Sequence, residues 1–154
     1  MHKPLISILL LVAALAGCNG RVEDRLLRQI EETCSKSTKP GCLVKLKEIT
    51  PFQWEKLYFF ISWTTADSIR KAVGFNYQGD DVADDYTRMV FTRGNAVVHE
   101  EDFQSYDFHR STISFSVQAK PLFFTPDNAL FWVEKGKIQY ACAQCYSYSL
   151  SVNK

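Results

Sequence analysis

From Thr112 to Ala119 the chain alternates strictly between apolar and polar side chains: Ile113, Phe115, Val117 and Ala119 against Thr112, Ser114, Ser116 and Gln118. The alternation returns from Tyr146 to Val152. Successive side chains of a strand point to opposite faces, so this period specifies strands with one face on a core and the other in solvent, the habit of antiparallel sheets. Phe52, Trp54, Tyr58 and Phe60 share a parity around Gln53 and Glu55 in the same way. Two hairpins are predicted, one turning at Arg93-Gly94-Asn95 between 87–92 and 96–100, the other at Lys135-Gly136-Lys137 between 130–134 and 138–141.

Helical spacing is confined to two stretches. Val22, Leu26, Leu27, Ile30 and Cys34 form an apolar stripe over 22–36. Ala66, Ile69 and Val73 form another over 64–73, where Thr64 and Asp67 resemble a capping box and Gly74 can take the left-handed position that ends a helix. Helix, strand, helix and then a run of strands predicts an α+β fold with a single antiparallel sheet of about five to seven strands and two short helices. A chain of 154 residues, 46% hydrophobic and 23% charged, fits one such domain and argues against disorder.

The N-terminus does not read as part of that domain. Met1-His2-Lys3 is a short positive head, and 5–15 is apolar apart from Ser7. A run this short cannot span a hydrocarbon core of about 30 Å, so it reads as a secretory signal. Its end, Leu15-Ala16-Gly17-Cys18, looks like the bacterial lipobox, in which the cysteine is acylated and becomes the new N-terminus. Residues 1–17 are thus expected to be a lipoprotein signal peptide, with 18–154 the globular domain, anchored through Cys18. Asn19 stands where Asp would resemble an inner-membrane retention signal, so the expected address is the periplasmic side of the outer membrane. Removing the signal deletes Lys3 from 18 basic and 17 acidic residues and leaves no net charge. With no long basic run either, a nucleic-acid partner is not expected.

An oxidising compartment gives the other four cysteines, Cys34, Cys42, Cys142 and Cys145, a structural reading as two disulfides. Cys34 with Cys42 is the preferred pair, because Pro40-Gly41 between them signals a turn. Cys142 and Cys145 lie about 10 Å apart in an extended chain, too far for a disulfide, so their pairing requires a turn. The thioredoxin-like alternative needs a helix after the motif, and a strand period follows instead.

Four carboxylates, Asp80, Asp81, Asp84 and Asp85, crowd one loop. The loop lacks the ligand spacing and closing Glu of a calcium loop, so it reads first as a solvated acidic loop and, if the chain is a protein binder, as the surface that meets a basic partner. Trp63, just ahead of the second helix, reads equally as core or as recognition surface. His99 and His109, near Glu100, Glu101, Asp102 and Asp107, lack metal-ligand spacing. No Gly-x-Ser-x-Gly or Ser-x-x-Lys motif supports a nucleophile. Neither catalytic residues nor a metal or cofactor are expected.

The stretch Thr50-Pro51-Phe52-Gln53-Trp54-Glu55-Lys56-Leu57-Tyr58-Phe59-Phe60, followed by Thr64-Thr65 and a helix ending at Gly74, resembles small uncharacterised bacterial lipoproteins with a Phe-x-Trp-Asp-Lys segment. Glu55 replaces their Asp, and Ser62-Trp63 replaces Pro-Tyr. The resemblance implies no enzymatic activity. By analogy of size and location alone, the expected role is a protein-binding module, such as an immunity or inhibitor protein against a secreted toxin. The alternatives are a structural or assembly lipoprotein of the cell envelope and, less favoured, a hydrolase.

Overall fold

Every fourth residue along one side of the first helix, Val22, Leu26 and Ile30, is fully buried. The stripe read from the sequence is therefore the face that packs. The computed structural model describes residues 20–34, 41–104, 106–107, 109–116, 123–137 and 145–152. The expected signal peptide, Cys18, Cys142 and the strand tails at 117–119 and 138–141 lie outside the described residues. Along the chain the elements are α1 (Val22–Cys34), β1 (Cys42–Lys45), α2 (Leu46–Ile49), β2 (Lys56–Phe60), α3 (Ala66–Val73), β3 (Tyr86–Arg93), β4 (Ala96–Gln104), β5 (Thr112–Ser116), β6 (Leu130–Lys137) and β7 (Tyr146–Val152).

The fold is α+β, but the strands divide into two sheets where one was expected. One has the order β1-β6-β7-β5 and the other β2-β3-β4. All pairings are antiparallel except β5 with β7, which is parallel, with Thr112 opposite Ser147 and Ser116 opposite Ser151. The four-stranded sheet obeys the period-two reading: Cys42, Val44, Phe131, Val133, Tyr148 and Leu150 are buried while Leu43, Lys45 and Ser149 are exposed. In the three-stranded sheet only the edge strand β4 does. Leu57, Met89, Phe91 and Phe103 enter the main core shared with α1 and the other sheet. Tyr58 and Val90, on the opposite face, enter a second core closed by Ile69 and Val73 of α3 with Tyr77 and Val82. With both faces covered, β3 is buried continuously from Arg88 to Thr92, and parity carries no inside-outside signal there.

The second predicted hairpin is overturned. β6 runs unbroken through Lys135-Gly136-Lys137, with Gly136 opposite Ser147 on β7. A Cβ at Gly136 would lie 2.8 Å from Ser147 Oγ, so this glycine serves close approach between strands and not a turn. The first hairpin stands as read, Arg93 pairing with Ala96 around Gly94 at φ 56°. The strand expected from Phe52 begins only at Lys56, because Pro51 and Phe52 bend the chain. Gly74 ends α3 in the left-handed region, but the cap at its start is one residue later than predicted: Thr65 Oγ1 accepts from Ser68 N at 3.2 Å.

Cys34 and Cys42 are disulfide-bonded with Cα atoms 5.3 Å apart, tying the end of α1 to β1. Gly41, just ahead of β1, takes φ 97°, and a Cβ there would lie 2.6 Å from the Trp132 ring. Cys145 is also disulfide-bonded; Cys142, its expected partner, lies outside the described residues. Among the described residues, no helix is long and apolar enough to cross a membrane.

Candidate functional site

β2 ends at Phe60, and of the five residues before α3 the first four, 61–64, form a sharp turn. Thr64 closes the turn by donating from its amide (3.1 Å) and its hydroxyl (2.7 Å) to the Ile61 carbonyl. Trp63, inside the turn, is held at φ 67°, a region costly for a bulky L-residue. Its side chain gains no burial in return: Trp63 is 73% exposed and Ile61 70%. The even choice between core and surface at Trp63 is thus decided for surface, and Ile61, unmarked in the sequence reading, accompanies it.

The acidic loop is what holds the turn. Trp63 N donates to Val82 O at 3.0 Å and Val82 N to Thr64 O at 2.9 Å, a two-way backbone pair. Val82 itself is buried in the second core, between exposed Asp81 and Ala83. Asp81 accepts the Ala66 amide of α3 at 2.7 Å, and Asp84 accepts the Asp85 amide at 2.9 Å, with Asp85 at φ 62°. All four carboxylate-bearing residues are exposed. The structure therefore joins the two stretches singled out separately, Trp63 and Asp80–Asp85, into one pinned surface.

Beneath it lies a partly buried polar network centred on Arg88 and Tyr77. Arg88 grips Asp102 through Nε (2.6 Å) and Nη2 (2.8 Å), and its Nη1 donates to the Asp80 carbonyl and to Tyr77 Oη at 3.0 Å. Tyr77 donates its hydroxyl proton to Glu100 at 2.9 Å. Burial, reinforced by that hydrogen bond, pushes the Tyr77 hydroxyl up to about 12, so it remains a donor at physiological pH. The Asp102 hydrogen bond raises Arg88 further, keeping the guanidinium charged. Such a bidentate ion pair orders the loop from below.

A second cluster ties α1 to β4. Glu101 accepts Val22 N (2.7 Å), Glu23 N (3.1 Å) and Arg21 Nε (3.2 Å), and pairs with His99 Nε2 at 3.1 Å. Fully buried Glu23 is bound by Arg21 (2.8 Å) and Arg110 (3.1 Å). His99 packs beside the Phe52 ring at 4.8 Å, and His109 donates its amide to Asp107. Among the described residues, no group of three or more His, Cys, Asp or Glu is arranged to hold a metal ion.

No known family, curated protein or solved structure matches this chain. Of the clefts, one of about 500 Å³ is lined by Lys47, Thr50, Trp54, Arg93 and Asp127. Lys47 is paired with Asp127 at 3.1 Å, and the Trp54 indole donates to Thr50 at 2.8 Å, so four of its polar groups are already paired with one another. Sequence reasoning missed the Glu101 clamp and the Arg88 network because most of their partners stand 8 to 87 residues apart. The one available signal was the run Glu100-Glu101-Asp102 inside a strand period, where charge at an inward position demands a partner.

Proposed function

We propose that the chain is a lipid-anchored periplasmic lipoprotein, held at the outer membrane through Cys18, that works as a non-enzymatic protein-binding module of the immunity or inhibitor type. The observation that carries the reading is the ordered acidic loop: exposed Asp80, Asp81, Asp84 and Asp85 on a backbone fixed by Trp63, Thr64, Ala66 and Arg88. A pre-ordered loop loses little conformational entropy on binding, and clustered carboxylates steer a basic partner toward it. A secreted toxin with a basic active-site mouth is the partner this surface suits.

Two measurements test it. Mass spectrometry of the mature N-terminus should find acylated Cys18; an unmodified peptide beginning elsewhere removes the anchor. The product of a toxin gene beside this one should associate with the chain at a rate that falls with salt. An envelope-assembly operon in that place, with no toxin, would replace the inhibitory role by a structural one.

A further inference from the structure

The first two amides of α1 donate to one nearly buried carboxylate, Glu101, and Arg21 is held by the Asp102 carbonyl at 2.9 Å. The helix start is clamped to β4. With Cys18 acylated, as in the function proposed above, only Asn19 and Gly20 separate the lipid from Arg21, a span of about 10 Å. The domain must therefore stand against the bilayer with a defined end toward it.

The strand register says what else lies at that end. Phe60 faces Arg88, and Arg88 faces Asp102, so β2 leaves its sheet at the level where Arg21 is bound. Two residues further, Ser62 Oγ donates to the Tyr86 carbonyl at 3.1 Å, and Tyr86 faces Gln104. Two strand spacings, about 10 Å, separate β2 from β4. Ile61 and Trp63 thus emerge on the same end of the three-stranded sheet as the tether.

We propose that Ile61 and Trp63 are a second membrane contact, entering the headgroup region of the bilayer that holds the Cys18 lipid. This rests on the anchor and adds a lipid surface to the protein partner proposed for the neighbouring loop. An indole favours this region, being apolar with one polar edge. Two side chains alone bind a membrane weakly, but a tether of two residues supplies a high effective concentration, so a weak contact is populated. The adjacent aspartates are repelled by anionic headgroups. The contact therefore favours phosphatidylethanolamine, weakens when phosphatidylglycerol is added, and recovers with salt.

The test uses the mature protein as isolated from cell membranes, placed in phosphatidylethanolamine vesicles containing brominated lipid and compared with Trp63→Phe, which keeps the backbone and an apolar ring. The parent should show a blue-shifted emission component that the bromines quench, and the variant should lose it. Parent protein that floats with the vesicles yet shows no quenching beyond that of Trp63→Phe overturns the contact alone and returns Trp63 to the protein-binding surface. Protein with unacylated Cys18 that fails to float overturns the anchor and this contact together, and the N-terminal peptide mass tells the two failures apart.

Discussion

Glu101 and Glu23 share one clamp, yet their carboxyls move in opposite directions. Burial raises Glu101, but hydrogen bonds from His99, Glu23 N and Val22 N, with the Arg21 charge, outweigh it and leave the group below its usual value. At Glu23 burial wins over the attraction of Arg110 and Arg21, and the carboxyl is raised. A lowered acid stabilises the fold above its unfolded value near 4.5, and that stabilisation is lost as pH falls through the folded value. A raised acid does the reverse, costing stability as pH climbs from about 4.5 through its folded value. Glu23→Gln removes the opposing effect, so its stability should fall more steeply than the parent's on acidification; superposable urea midpoints across the pH series would refute this. Glu101→Ala, which strands the two helix amides of Val22 and Glu23, should cost about 2–4 kcal/mol in urea denaturation, and Glu101→Gln less, since its amide oxygen still accepts.

At the scale of elements, Gly136 shows how a turn signal is overruled. Lys-Gly-Lys between two apolar runs satisfies every local criterion for a hairpin, but β7 supplies an unbroken row of partners from Tyr146 to Val152. Only across the ladder does the glycine acquire its reason. Gly136→Ala should lower thermal stability through contact with Ser147, and Ser147→Gly should restore most of the loss; a Gly136→Ala variant as stable as the parent would show that the strands part easily. The Cys34–Cys42 disulfide was legible because the turn signal Pro40-Gly41 stands between two cysteines only eight residues apart. Replacing both by serine should cost about 2–4 kcal/mol and loosen the end of α1, detectable as faster hydrogen exchange there. α2 was not legible: one turn, with only Leu46 and Ile49 buried, is too short for a period to register.

For the whole molecule, the acidic loop and the Trp63 turn act as one body carried on the second core. Changing Asp80, Asp81, Asp84 and Asp85 together to Asn should leave stability within about 1 kcal/mol, because exposed charges contribute little and the carboxamide oxygen introduced by Asp81→Asn can still accept from the Ala66 amide. Association with a basic partner at low ionic strength should slow about tenfold, by loss of steering, and the salt dependence should flatten. Unchanged stopped-flow rates would mean that the carboxylates do not guide binding.

The local periods and turns of the sequence by themselves determined the α+β class, both amphipathic helices, the first hairpin, the Cys34–Cys42 pairing and the solvated serine face of β7. Each depends on residues near one another in the chain, where backbone geometry alone decides. Only the tertiary structure decided that there are two sheets, that β5 runs parallel to β7, that Tyr58 and Leu57 are both buried, and that Trp63 is joined to the acidic loop. These depend on which segments cover which faces. A strand covered on both sides shows no alternation, and a buried charge reveals its partner only once folding has brought the two together.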